Sequence, residues 1–126
     1  MEGTIMIDKK VLKLLNEQVN HEFYAAYLYL AMAAHFEAEN LPGFAKWMRK
    51  QAQEEIEHAM KIFDYINERG NKVVLTQIAT PKEKWKSPLE AFTDAYKHEQ
   101  KVTGLINKLV DTAEELKDRA TYSFLQ

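Results

Sequence analysis

The sequence predicts an all-α protein: an up-down bundle of three full helices and the start of a fourth, with a long crossover between the second and third. Three observations carry this. The four glycines and three prolines leave long stretches free to be helical. In those stretches apolar residues recur at alternating steps of three and four, the period of a bundle seam. One connection, 71–86, lacks that period and is far longer than the usual link between helices.

The first helix is expected over residues 8–40, with Asp8 as N-cap and a body rich in Leu, Ala, Glu and Lys. Leu41-Pro42-Gly43 breaks it, and Pro42 suits the first turn of a second helix over 42–69, stopped by Gly70. So short a break implies antiparallel neighbours. The segment 71–86 contains Val73-Val74-Leu75, Pro81 and Trp85, and a crossover from one end of the bundle to the other accounts for its length. Ser87-Pro88-Leu89-Glu90 reads as a capping box with proline at N1, opening a third helix over 87–118. From about residue 120 an apolar pattern resumes as the start of a fourth. The 126 residues form one domain, 1–126.

Composition narrows the function. The net charge is −2 and the basic residues are not bunched, so there is no electrostatic case for nucleic acid or an anionic membrane. The absence of cysteine excludes a disulfide framework, cysteine-ligated zinc and cysteine-bound iron–sulfur clusters. Met1 to Lys10 holds no apolar core of signal-peptide length, which points to the cytoplasm. The longest apolar run, Tyr24 to Ala34, is too short to span a membrane.

Each helical stripe is interrupted near its middle by a glutamate. The first reads Leu12, Leu15, Val19, Glu22, Ala26, Tyr29, Ala33, Phe36. The second reads Phe44, Met48, Gln51, Glu55, His58, Ile62, Tyr65. The third reads Leu89, Phe92, Tyr96, Glu99, Thr103, Ile106, Val110, Ala113. One carboxylate in such a stripe is ordinarily a bundle-edge residue or the partner of a buried base. Three converging, with no Lys or Arg in any stripe, require a cation from outside the chain, because an unpaired buried carboxylate costs several kcal/mol.

Glu55 and His58 are spaced i, i+3 and project from one helical face. Carboxylates with one imidazole and no thiolate suit iron or manganese better than structural zinc. Di-metal carboxylate bundles take a Glu from each of two helices and a Glu-x-x-His from each of the other two. Glu22 and Glu99 supply the single glutamates, and Glu55-Ile56-Glu57-His58 supplies one Glu-x-x-His. Glu54 lies beside the stripe, either near the site or on solvated surface, and Glu57 is expected to point outward. His21, His35 and His98 lie off the stripes and are expected to be exposed, as are Glu114, Glu115 and Asp118 at a helix end. Tyr29 is either a core tyrosine or a neighbour of the metals.

Several segments resemble prokaryotic non-haem ferritins, within the ferritin-like di-iron superfamily. They are Asn16-Glu17-Gln18-Val19-Asn20-His21-Glu22-Phe23-Tyr24, Gly43-Phe44-Ala45-Lys46-Trp47-Met48, Gln51-Ala52-Gln53-Glu54-Glu55-Ile56-Glu57-His58, Tyr96-Lys97-His98-Glu99 and Tyr122-Ser123-Phe124-Leu125-Gln126. The resemblance implies a di-iron centre in which Glu22 and His58 bind one iron, Glu55 bridges two, and Glu99 binds the second. It places Tyr29 beside the centre and makes Glu54 a ligand of an accessory third iron site. It implies oxidation of Fe(II) by dioxygen or peroxide and storage of the ferric product in a cage of twenty-four subunits. Bacterioferritins carry a haem-ligating methionine where Ile56 stands, so no haem is expected. Ferritins continue through a full fourth helix and a short fifth, and their pattern runs beyond Gln126. The resemblance therefore implies a weaker second iron position and an apolar groove, lined by Val19, Tyr29, Met48, Ile62, Phe92 and Ile106, that drives self-association. The competing expectation is a helical assembly module with a partial, weakly catalytic or non-catalytic metal site.

Overall fold

The computed structural model describes residues 6–126; the reading of the N-terminus as free of a signal peptide rests partly on Met1–Ile5, which lie outside them. Among the described residues four helices form: α1 (Lys9–Ala38), α2 (Pro42–Glu68), α3 (Pro88–Glu115) and α4 (Arg119–Leu125). Asp8 caps α1 by accepting from the Lys10 N–H at 2.8 Å, and Ser87 caps α3 by accepting from the Glu90 N–H at 3.1 Å. Pro88 and Pro42 sit in the first turns of α3 and α2, where a missing N–H costs nothing.

All three long helices stop in the same way. Asn40, Gly70 and Lys117 adopt positive φ values of 58°, 73° and 58°. The residue after each then donates back to the last turn: Leu41 to Phe36, Asn71 to Ile66 and Asp118 to Ala113, at 2.8–3.1 Å. These are Schellman endings, which satisfy carbonyls that would otherwise be orphaned. Lys117 shortens the third helix relative to the expected 87–118. Asp118 is then not a solvated helix end: it is the N-cap of α4, accepting from the Thr121 N–H at 3.1 Å and standing 3.6 Å from Arg69.

α1 is the central helix. It packs against α2 and α3, whereas the backbones of α2 and α3 do not meet. This is why α1 buries more than one stripe, adding Val11, Gln18, Ala25, Leu28 and Met32 to the expected set. On α2 the alanines Ala45, Ala52 and Ala59, seven residues apart, are buried and allow close approach to α1. Chain direction follows from the crossover. Asn16 donates to Lys72 O and accepts from the Val74 N–H, and Asn20 donates to Thr76 O and Gln77 O, at 2.8–3.3 Å. The segment thus climbs α1 from its N-terminal end. At the far end Trp85 is buried, donates to Asp94 at 2.8 Å and meets His35 edge-on. α3 therefore runs parallel to α2.

The apolar interior divides in two. One cluster holds the C-terminal half of α1, the N-terminal half of α2, Trp85, Ala91 and Ala95. The other holds the N-terminal half of α1, the end of α2 and Leu109, with Phe124 and Leu125 packed on it. α4 is secured there: Tyr65 and Phe124 stack at 4.0 Å, and the Tyr65 hydroxyl meets Thr121 Oγ1 at 2.9 Å and accepts from Arg69 at 2.5 Å.

A groove opens between α2 and α3. Its expected lining needs correction. Val19, Tyr29 and Met48 are buried by packing within the chain, whereas Ile62, though largely buried, lines the cavity between α2 and α3 together with Ile106. Phe92 and Ile106 are half-buried, and Phe44 and Trp47 stand partly open beside Phe92. The third stripe also needs correction. α3 meets α1 through Ala91, Ala95, Val102 and Leu109, which are buried, while Leu89, Tyr96 and Thr103 are exposed. Among the described residues no helix is long and apolar enough to cross a membrane.

Candidate metal centre

A polar layer separates the two apolar clusters. Glu22 projects from the middle of α1, Glu55 and His58 from α2, and Glu99 from α3. The first two are carboxylates at 3% and 5% exposure, deep enough that each needs a partner. One ligand atom from each of Glu22, Glu55 and His58 falls within 4.8 Å of the other two. His58 Nδ1 lies 3.5 Å from Glu55 Oε2 and 3.7 Å from Glu22 Oε2. Both of those carboxylate oxygens are buried and accept no hydrogen bond. Two buried carboxylate oxygens without a hydrogen-bond partner thus stand near one imidazole nitrogen, and an oxygen- and nitrogen-donor set of this kind could hold a divalent first-row metal ion.

The electrostatics agree. Burial first, then the hydrogen bond and charge of Glu22, then Glu99, push the Glu55 carboxyl up to about 9. The shift favours the protonated form of the Glu55 carboxyl in the metal-free fold. Tyr29 is buried, and its hydroxyl donates a short hydrogen bond to Glu99 Oε1. Burial and then that bond raise its pKa, with Glu55 and Glu22 adding to the effect. Tyr29 is thus placed against the cluster and stays protonated.

The sequence-derived set is brought together unevenly. Glu22, Glu55 and His58 converge. Glu99 faces Glu55 and Tyr29 from α3 but lies outside the close group of three. Glu54 is half-buried beside Glu55 and contributes no atom to that group, and Glu57 is exposed as expected. The other histidines are not simply exposed. His21, His35 and His98 are half-buried, and the His98 Nε2 is buried without a hydrogen-bond partner. One residue escaped notice. Gln18 is 2% exposed, and its Nε2 donates to Glu22 Oε1 at 3.1 Å. Its position one turn before Glu22 on the same face was the available signal.

The cluster forms part of the groove floor, in a cavity of about 640 Å³ bounded toward α4 by Ile106, Phe124 and Leu125. The His58 side chain is 55% exposed, so the imidazole stands at the solvent edge and the carboxylates behind it.

Fold and site together define a helical bundle of the kind that holds metal ions on interior carboxylates. The chain belongs to the ferritin family: the Ferritin-like domain profile matches residues 12–126. It is 48% identical over 120 residues to the bacterial non-heme ferritin of Staphylococcus saprophyticus, covering 95% of this chain and 72% of that protein. With the bacterial non-heme ferritin of Bacteroides fragilis it shares 42% over 120 residues, covering 95% and 76%. Among solved structures, the open pore ferritin of Archaeoglobus fulgidus superposes with a TM-score of 0.94 at 51% identity, over 95% of this chain and 74% of that one. The Chlorobium tepidum ferritin does so with 0.94 at 46%, over 96% and 74%.

Proposed function

We propose that this protein stores iron and oxidises Fe(II) at the Glu22–Glu55–His58 cluster, with Glu99 and Tyr29 completing the site on the α3 side. The observation that carries the reading is the pair of buried, unpartnered oxygens, Glu22 Oε2 and Glu55 Oε2, facing His58 Nδ1. Ferrous iron is the substrate. Glu22 and His58 hold the first ion, Glu55 lies between the two positions, and Glu99 faces the second. Each ferrous ion gives up one electron. Two electrons and two protons take dioxygen to hydrogen peroxide, or peroxide to water. Hard anionic carboxylates favour the higher-charged ferric product, which supplies the driving force on the protein's side. Glu54 is a candidate ligand for a further ion beside the site.

The names of the relatives, bacterial non-heme ferritins, support iron as the metal over manganese. The open Leu89, Tyr96, Trp47 and Phe44 side chains support self-association, which sedimentation at micromolar concentration reads directly.

The test is aerobic addition of Fe(II), followed by absorbance of the ferric product, for the parent chain and Glu55→Ala. Oxidation well above the protein-free rate in the parent, and its loss in the variant, is the expected result. Equal rates in parent, variant and buffer would leave a helical assembly module with a non-catalytic site.

A further inference from the structure

We propose that Gln18 is a positioning residue of the metal centre, which ties one oxygen of Glu22 so that the other alone is offered to the metal. The inference rests on the metal-binding reading above and adds a residue and a ligation mode to it.

Three observations on α1 carry it. Gln18 is almost completely buried, an unusual place for an amide side chain unless it has a defined hydrogen-bonding task. Its Nε2 donates to Glu22 Oε1 at 3.1 Å, across one helical turn. The remaining oxygen, Glu22 Oε2, is the one that is buried, unpartnered and 3.7 Å from His58 Nδ1. The two oxygens of one carboxylate therefore have different tasks. Oε1 is neutralised in part by an amide N–H, and Oε2 is left for the cation.

The division has two physical consequences. A carboxylate held at one oxygen loses freedom to rotate about its terminal torsion, so Oε2 stays aimed at the site before the metal arrives. A neutral amide is also the right partner for this task. A Lys or Arg at position 18 would satisfy Glu22 with a full charge and compete with the incoming ion, whereas Gln orients the ligand and leaves its charge for the metal. Glu22 is then expected to bind through Oε2 alone. On α2 the equivalent position, one turn before Glu55, holds the half-buried Gln51, and Glu55 Oε2 has no hydrogen-bond partner among the described residues.

The experiment titrates Co(II), as a coloured stand-in for Fe(II), into the metal-free parent chain, Gln18→Met and Gln18→Asn, read by the visible absorption band. Methionine keeps length and apolar bulk but donates nothing. Asparagine keeps the amide but withdraws it by one methylene. Hydrogen-bonding partners of metal ligands change affinity by roughly 10–100-fold when removed, so both variants should bind about tenfold more weakly and shift the band as the coordination at Glu22 changes. In a Glu22→Ala background, Gln18→Met should add no further loss. Should the methionine variant fail to fold, the asparagine variant decides alone. An unchanged band and affinity in the variants overturns the proposal, and so does an additive loss in the Glu22→Ala background, which marks a purely structural role. Failure of the parent chain to bind Co(II) instead overturns the metal-binding reading itself, and the proposal with it.

Discussion

Nδ1 of His58 lies 3.5 Å from Oε2 of Glu55, one helical turn earlier on α2. The two side chains differ sharply in exposure, 55% against 6%, so the pair spans the boundary between groove and interior. On the proposed reading, a metal ion reaching the site would meet the imidazole first and the buried carboxylates behind it. The i, i+3 spacing makes this possible, because both side chains leave α2 on one face at nearly the same height.

The two iron positions should fill in order. Glu22, Glu55 and His58 form the close group, while Glu99 stands apart with Oε1 engaged by the Tyr29 hydroxyl. Anaerobic titration with Fe(II), followed by calorimetry, should resolve one tight ion and a second bound roughly tenfold or more weakly, the scale on which a ligand's other hydrogen bonds alter affinity. Equal affinity for both ions would show that Glu99 is as well prepared as the group of three.

Metal-free stability should fall as pH rises. Burial and then Glu22 raise the Glu55 carboxyl in the fold from 4.5 to about 9. The folded chain thus holds a proton that the unfolded chain releases, and this contribution is full below 4.5 and lost as pH passes through about 9. Denaturant midpoints measured with chelator across that window should decline for the parent chain more steeply than for Glu55→Gln, which has no carboxyl to titrate. A parent slope no steeper than the variant's would contradict the assignment.

The anchor of α4 can be loosened without changing Glu22, Glu55, His58 or Glu99. Tyr65→Phe keeps the stack on Phe124 but removes the hydroxyl that accepts from Arg69 and meets the fully buried Thr121. Thr121 still donates to Asp118 at 2.7 Å and Arg69 still stands 3.6 Å from Asp118, so the loss should cost about 0.5–1.5 kcal/mol, the scale of an ordinary hydrogen bond. Hydrogen exchange at the amides of α4 should accelerate before that of α1. Unchanged exchange there would mean that stacking alone secures α4.

Lys117 should be improvable. It carries φ of 58°, a conformation that costs an L-residue roughly 1–2 kcal/mol and glycine little. The equivalent positions are Asn40 and Gly70, residue types suited to it. After the extra entropy of glycine in the unfolded chain is deducted, Lys117→Gly should stabilise by about 0.5–1 kcal/mol in chemical denaturation. A destabilised variant would mean that the lysine side chain makes a contribution larger than its backbone cost.

Much of this was legible in the sequence, for physical reasons that differ by element. Pro42, Gly70 and Ser87-Pro88 mark helix ends because capping is local chemistry, and the ends fall within a residue or two of expectation. Glu22, Glu55 and His58 were legible because a charge inside an apolar period needs an explanation. Non-local packing was not. The α3 stripe suggests a core face, but α3 buries Ala91, Ala95, Val102 and Leu109 instead, and Leu89 and Tyr96 are exposed. The end of α3 at Lys117 carries no glycine to announce it. Gln18 was missed because a glutamine one turn from a glutamate is unremarkable until burial removes water as its alternative partner. Asn16 and Asn20 hold the crossover through contacts more than fifty residues apart in sequence, which no local pattern records.

The central claim is that Glu22, Glu55 and His58 hold iron. Crystals of the protein soaked anaerobically in ferrous salt, measured on both sides of the iron absorption edge, test it most directly. The account predicts an anomalous peak among Glu22 Oε2, Glu55 Oε2 and His58 Nδ1, lost in Glu55→Ala. A map with no iron at these three side chains, or with a peak there that survives Glu55→Ala, would contradict it.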